Sequence, residues 1–251
     1  MDKGFVILAQ NTTMVDYVKC AEVLKSSILK QMPEANVTII TDLPYGDQAP
    51  DSEWKLINDW QVYEASPYEY TIKLEADMYL PQDISYWWDI LQERDLVVST
   101  TIRNFKNEIS DVKVYRQFLE DNKLPNVYNA ITYFKKSPLA EEFFMTVRNI
   151  FENWDSYKNI FKCDPDLEAT TDWVYGIACH LIGVEKTTLP DFTPFSMIHM
   201  KPYINNTMSE NWTNELTYEF TDPIKIQTFP QLYPLHYHIK NFSYKLEKNY
   251  D

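Results

Sequence analysis

Two carboxylates, Glu75 and Asp77, stand one residue apart in the segment YTIKLEADMYL at 70–80. Around them Tyr70, Ile72, Leu74 and Ala76 alternate with Thr71, Lys73, Glu75 and Asp77, the period of a strand with one apolar face. On that reading both carboxylates project from the same side, with Cα atoms about 6–7 Å apart at a rise of about 3.3 Å per residue. Side chains so placed reach one cation or its ligand. A half-exposed strand with a charged outer face has the same pattern and needs no chemistry. The next residues argue for chemistry: Leu80 and Pro81 stop the strand, and PQDISYWWDIL reads as a loop running into a helix. The pair therefore lies at a strand's carboxyl end, the edge where open α/β sheets collect ligands.

The elements that must position this pair are legible on either side. Residues 5–9 (FVILA) read as a buried strand, and Met14 to Gln31 as an amphipathic helix ended by Pro33. NVTIITD supplies a second strand and YTIKLEAD a third, so the β-α-β order predicts a parallel sheet with right-handed crossovers. DLVVSTT at 95–101 and NVYNAITYF at 126–134 add strands. Ser137, Pro138 and Glu141 mark the capped start of a helix through SPLAEEFFMTVRNIFENW, and another helix begins at Thr171. After Gly183, Pro190, Pro194, Pro202, Pro223, Pro230 and Pro234 break the chain into short strands, of which YPLHYHIK is the last.

Composition excludes several classes. With 251 residues, 45% hydrophobic and 15% aromatic, the chain has a globular make-up and length for one large α/β domain. Its 4 glycines leave no room for a Gly-rich phosphate loop, so any bound phosphate needs another counter-charge. A net charge of -14 opposes general affinity for nucleic acid or anionic membrane, leaving only a local groove around Arg103, Lys106 or Lys113 for such a partner. Cys20, Cys163 and Cys179 form no C-x-x-C pair and read as reduced core thiols. The run FVILAQ after MDKG is too short for a signal-peptide core, and no stretch approaches a membrane span, so a cytoplasmic protein is expected. Trp87 and Trp88 read as helix packing, and Asp42 as a solvated turn residue.

ASPYEYTIKLEADMYLPQDIS resembles the stretch of GT-A nucleotide-sugar glycosyltransferases, especially family 8-like members, that reads S-P-Y-(x)-(x)-T-(x)-(x)-L-D-A-D-T-(x)-(x)-(x)-(x)-D-I. ILAQNTTMVDYVKCAEVLKSSIL is similar to the family's first strand and helix, NVYNAITYFKKSPLAEEFF to its N-A-G-V-(x)-(x)-F-(x)-(x)-S segment, and EATTDWVYG to the acidic helix start that follows. The likeness runs to about residue 180. Glu75 replaces the family's first Asp, Ile131 stands where it has Gly, and no H-x-x-G-x-x-K-P-W closes the chain.

The resemblance implies an α/β, GT-A (nucleotide-diphospho-sugar transferase) fold, with a central mostly parallel sheet flanked by helices. One domain would span 1–251, with a nucleotide-sugar-binding half at 1–100 and an acceptor-side half with the C-terminal tail at 101–251. It implies a metal-dependent transfer of sugar from a nucleoside-diphosphate donor, UDP foremost, to a hydroxyl acceptor: a glycan, a protein or a modified base of phage-type DNA. Mn2+ or Mg2+ would neutralise the leaving diphosphate, with Asp77 as ligand, Glu75 towards the ribose or the ion, and His236 or His238 completing the shell. His199, beside Lys201 and Pro202, is the alternative histidine. Lys240 would meet the diphosphate, and Ala9, Gln10, Asn11 and Tyr17 the nucleotide, Tyr17 by stacking. Asp172 would face the acceptor or donor sugar, as general base in an inverting enzyme, or would serve as a first-turn or cap carboxylate. Two other functions use the same carboxylates: a catalytically silent module that binds sugar nucleotide or glycan, and a metal-dependent nucleotidyltransferase or phosphodiesterase.

Overall fold

The computed structural model describes residues 2–111, 116–162, 166, 168–190 and 194–250. Cys163 and Lys113 lie outside them. In chain order the strands are β1 (Lys3–Leu8), β2 (Val37–Ile40), β3 (Tyr70–Glu75), β4 (Met78–Tyr79), β5 (Leu96–Ser99), β6 (Thr101–Arg103), β7 (Ile109–Ser110), β8 (Tyr128–Lys135), β9 (Ser196–His199), β10 (Tyr218–Glu219), β11 (Lys225–Ile226), β12 (Phe229–Pro230) and β13 (Leu235–His236).

The central sheet has the order β2-β1-β3-β8-β5. β1 pairs in parallel with β2 and β3, as the β-α-β reading requires, while β8 runs antiparallel to both β3 and β5. The crossover helix Tyr17–Gln31 is started by Asp16, whose side chain accepts from Lys19 N at 3.0 Å and satisfies an orphan donor. The helix buries Cys20, Ala21, Leu24 and Ile28 against Phe5, Ile7, Ile72 and Leu74. Val6, Val98 and Phe134 point to the other face and pack under helices Pro138–Glu152 and Thr171–Ile182 through Phe143, Val147, Val174 and Ile177. Each such large apolar side chain contributes about 1.5–3 kcal/mol on full burial.

A second sheet, β4-β13-β9-β6-β7, is built by leaving the first one twice. Ala76 and Asp77 separate β3 from β4, and Thr100 alone separates β5 from β6. The segment expected as one strand at 95–101 is therefore divided between two sheets. The tail completes the second sheet with β9 and β13, adds the small meander β10-β11-β12, and ends in helix Phe242–Tyr250. Trp212, Ile224, Leu235, Tyr237, Phe242 and Leu246 give it a core of its own.

Two expectations are corrected. β3 is not half exposed: Thr71 and Lys73 are as buried as Ile72 and Leu74, because helices cover both faces. A lysine survives there because its Nζ lies 2.7 Å from Asp59 Oδ1 and donates to Asn129 O at 3.1 Å, while Tyr175 donates to Asp59 Oδ2 at 2.5 Å. The last strand, expected over YPLHYHIK, covers only Leu235–His236, so His238 falls beyond its end. His238 has φ +60°, a left-handed turn that ends the extended run.

Candidate active site

The junction of the two sheets concentrates the polar chemistry. Glu75 closes β3, and Asp77 occupies the short link before β4. β13 lies between β4 and β9, with His236 opposite Met78 on one side and opposite His199 on the other. Backbone pairing thus delivers Asp77, His236 and His199 to neighbouring positions, and Tyr237 N donates to Asp77 O at 3.2 Å to secure the link.

His236 Nε2 stands 3.1 Å from Asp77 Oδ2 and 3.2 Å from Glu75 Oε2. Lys240 Nζ also donates to Asp77 Oδ2. Burial acts to raise the Asp77 carboxyl, but His236 and Lys240 outweigh it and hold it well below the ordinary carboxylate range. For Glu75, burial prevails over the pull of His236 and pushes the carboxyl up. Two adjacent carboxylates are thereby driven apart in acidity by what faces each of them. Burial opposes the charge of Lys240, yet Asp77 raises it, so the ammonium stays protonated. Burial, reinforced by His236, pushes both His199 and His238 well below the usual imidazole value, leaving neutral rings at physiological pH.

Two adjoining pockets meet at this cluster. Tyr17, Trp54, Leu56, Glu75 and Lys240 line both. The first continues to Gln10, Asp59, Lys73 and Asp77, the second to Arg116, Asn129, Asp172 and the three histidines. Tyr17 presents its ring 5.4 Å from Lys240 Nζ. Burial raises the Tyr17 hydroxyl, so the ring remains uncharged.

The nine residues Gln10, Tyr17, Glu75, Asp77, Asp172, His199, His236, His238 and Lys240 therefore border one connected concavity. Ala9 and Asn11 do not: Ala9 is a core residue, and Asn11 Oδ1 accepts from Val18 N at 2.9 Å. Gln10 Oε1 accepts from Asn58 Nδ2 at 2.8 Å. Asp42 is exposed, and Trp87 and Trp88 are packed in the core. Arg103 is engaged by Ser196 Oγ, Asn107 O and the face of Tyr233, whereas Lys106 is exposed.

Asp172 lies in the first turn of helix Thr171–Ile182, but the cap is Thr170, whose side chain accepts from Trp173 N at 3.4 Å. Freed from capping, the Asp172 carboxylate accepts from Asn129 N at 2.9 Å through Oδ1 and pairs with the buried guanidinium of Arg116 through Oδ2. With the Asn129 amide turned to suit its neighbours, it donates to Asp172 Oδ1 at 3.0 Å and accepts from Lys73 Nζ at 3.2 Å. A polar chain thus runs from Asp172 through Asn129, Lys73 and Asp59 to Tyr175, beneath both pockets. Sequence reading missed Asp59, Lys73, Arg116 and Trp54. The one available signal was Lys73, a charge in the middle of an apolar strand.

Glu75, Asp77 and His236 offer ligand atoms within 4.8 Å of one another, and so do His199, His236 and His238. Two carboxylates with an imidazole suit Mn2+ or Mg2+ chemically.

The architecture is that of the GT-A glycosyltransferases, a mixed α/β fold whose sheet is flanked by helices. The chain is similar to galactosyltransferase LgtC in complex with donor and acceptor sugar analogs, with a TM-score of 0.54 and 9% identity, covering 98% of this chain and 93% of that one. It is also similar to the apo form of mouse xyloside xylosyltransferase 1, with a TM-score of 0.52 and 11% identity, covering 95% and 98% respectively. The chain spans 60% of the length of the glycosyltransferase GlyE of Streptococcus pneumoniae TIGR4, at a TM-score of 0.48. No family profile and no curated protein sequence matches it. Among the described residues, no helix is long and apolar enough to cross a membrane.

Proposed function

We propose that this chain is a metal-dependent glycosyltransferase that moves a sugar from a nucleoside-diphosphate donor, foremost a UDP-sugar, to a hydroxyl acceptor. The single observation that carries this reading is the convergence of Glu75, Asp77, His236 and Lys240 where two pockets meet on a GT-A fold. Mn2+ or Mg2+ bound there supplies Lewis-acid stabilisation of the departing diphosphate.

The chain's own residues do the remaining work. Tyr17 offers its ring to the base, and Glu75 faces the ribose or the ion. Lys240, kept charged by Asp77, moves from that carboxylate to the diphosphate and answers its negative charge. His236 fixes the two carboxylates in place and completes the ligand set. The second pocket receives the acceptor, and Asp172 orients the hydroxyl or takes its proton. Residues 1–100 then form the donor half and 101–251 the acceptor half, with His236 and Lys240 crossing over. The acceptor is a glycan, a protein or a modified DNA base.

A panel of nucleoside-diphosphate sugars, tested with Mn2+, Mg2+ or a chelator, checks the reading by thermal stabilisation and by release of nucleoside diphosphate. Cation-dependent stabilisation with slow donor hydrolysis supports transfer. Stabilisation without any turnover assigns a silent binding module. No response to any donor removes the proposal.

A further inference from the structure

The carboxylates of the junction are backed by three imidazoles, of which the ligand set proposed for transfer uses one, His236. Asp77 Oδ2 receives both Lys240 and His236. Behind that contact, His199 meets His236 and His238 edge to face, with ring centroids 5.1 Å and 4.5 Å apart, while His236 and His238 lie 3.9 Å apart with their planes tilted by 31°. His236 is 4% exposed, and its Nδ1 has no hydrogen-bond partner among the described residues. A buried polar atom left in that state destabilises the fold.

The backbone is bent to make this cluster. An extended strand would separate His236 from His238 by about 6–7 Å at Cα, but the left-handed conformation of His238, at φ +60°, turns its ring back onto the others. That conformation is unfavourable for an L-residue. The chain thus accepts an orphaned nitrogen and a strained backbone in order to stack three imidazoles.

We propose that His199, His236 and His238 form an imidazole-only site for a nitrogen-preferring divalent ion of the zinc class, adjoining the carboxylate pair and sharing His236 with it. His238 Nε2 lies 3.3 Å from His199 Nδ1. Two imidazoles on one tetrahedral zinc, at about 2.0–2.1 Å each, place their nitrogens about 3.3–3.4 Å apart, which matches this separation, and binding would replace the hydrogen bond between the two rings with bonds to the ion. The third ring offers a ligand atom within 4.8 Å. Imidazole favours zinc, nickel and copper, whereas carboxylate and water favour magnesium and manganese. Neutral imidazole is the form that ligates. The inference goes beyond sugar transfer and holds whether or not the chain transfers sugar.

The test titrates metal-free protein with Zn2+ and Mg2+ by calorimetry, and with Co2+ by visible absorption. Zn2+ is expected to bind far more tightly than Mg2+, and Co2+ to give the intense bands of tetrahedral nitrogen coordination. His199→Gln should weaken Zn2+ at least about 10–100-fold, the loss seen when even a supporting partner of a metal ligand is removed. His238→Gly should do the same while relieving the left-handed strain, so its melting temperature in chelator should hold or rise; this variant keeps the test valid if His199→Gln fails to fold. Asp77→Asn should remove the cation dependence of UDP binding while Zn2+ is still bound more tightly than Mg2+, which tells the imidazole site from the one proposed for transfer. Equal Zn2+ affinity in His238→Gly and the unmodified chain, or Zn2+ bound no more tightly than Mg2+, overturns the proposal.

Discussion

Lys240 places its ammonium on Oδ2 of Asp77 from a position 163 residues further along the chain, and His236 Nε2 shares the same oxygen at 3.1 Å. The lysine thus occupies the neighbourhood in which a cation or a diphosphate would be bound. Lys240→Met should therefore separate two affinities. Binding of Mn2+ alone should tighten, because a competing charge is gone. Binding of UDP should weaken about 10–150-fold, the equivalent of a charged hydrogen bond worth about 1.5–3 kcal/mol. Calorimetry with each ligand alone reads both; parallel changes would argue against direct contact with the diphosphate.

Glu75 is expected to cost stability in the metal-free protein. Burial raises its carboxyl above the unfolded value, so the native state resists ionisation. The sign follows: the native state is relatively favoured below the unfolded pKa, and that advantage is lost as pH rises through the folded one. In chelator, Glu75→Gln should raise the melting temperature, more at pH 7.5 than at pH 4.5 on the ordinary carboxylate scale of about 4.3. With donor and Mn2+ present the ranking should reverse, since the variant lacks a ligand. A gain independent of pH would mean that packing, not charge, is responsible.

Asp172 is tied to Arg116, so its removal should be felt in folding as well as in chemistry. Asp172→Asn keeps the hydrogen bond from Asn129 N but takes the carboxylate charge away from the buried guanidinium, and melting should shift down. Adding Arg116→Met should recover part of that loss. If Asp172 also serves the acceptor hydroxyl, transfer stays about 10²–10⁴-fold down in the double variant although stability returns. Transfer that recovers together with melting would confine Asp172 to the ion pair.

The Asp59–Lys73 pair is buried to within 1% on both sides. Asp59→Asn or Lys73→Met alone should cost about 3–5 kcal/mol by chemical denaturation, because each strands a buried charge. The double variant should be less damaging than the sum of the two. Additive losses would show that the two charges are not coupled.

Local pattern was enough for much of the framework. The alternation in FVIL, NVTII and YTIKLE, together with Pro33, Ser137 and Pro138, located the three parallel strands and two helices within a few residues, because strand and helix periods and caps are properties of adjacent residues. The stop at Leu80 and Pro81 put Glu75 and Asp77 near a strand's carboxyl end for the same reason, and Glu75 does close β3. Even so, alternation misjudged Thr71 and Lys73, since whether a strand's second face meets water depends on helices encoded elsewhere.

The site itself required the tertiary structure. His199 and His236 become neighbours only because β9 and β13 pair in register, and His236 reaches Asp77 only because β13 also pairs with β4. Strand pairing is a backbone interaction, and side-chain identity at distant positions hardly records it. The approach of His238 depends on one left-handed residue, and the partner of Asp172 is an arginine 56 residues earlier. Sequence determined which residue types could do chemistry and the strand end where they would collect. Long-range register and charge pairing decided which of them meet, what each is paired with, and hence which carboxylate is held acidic and which imidazoles stay neutral.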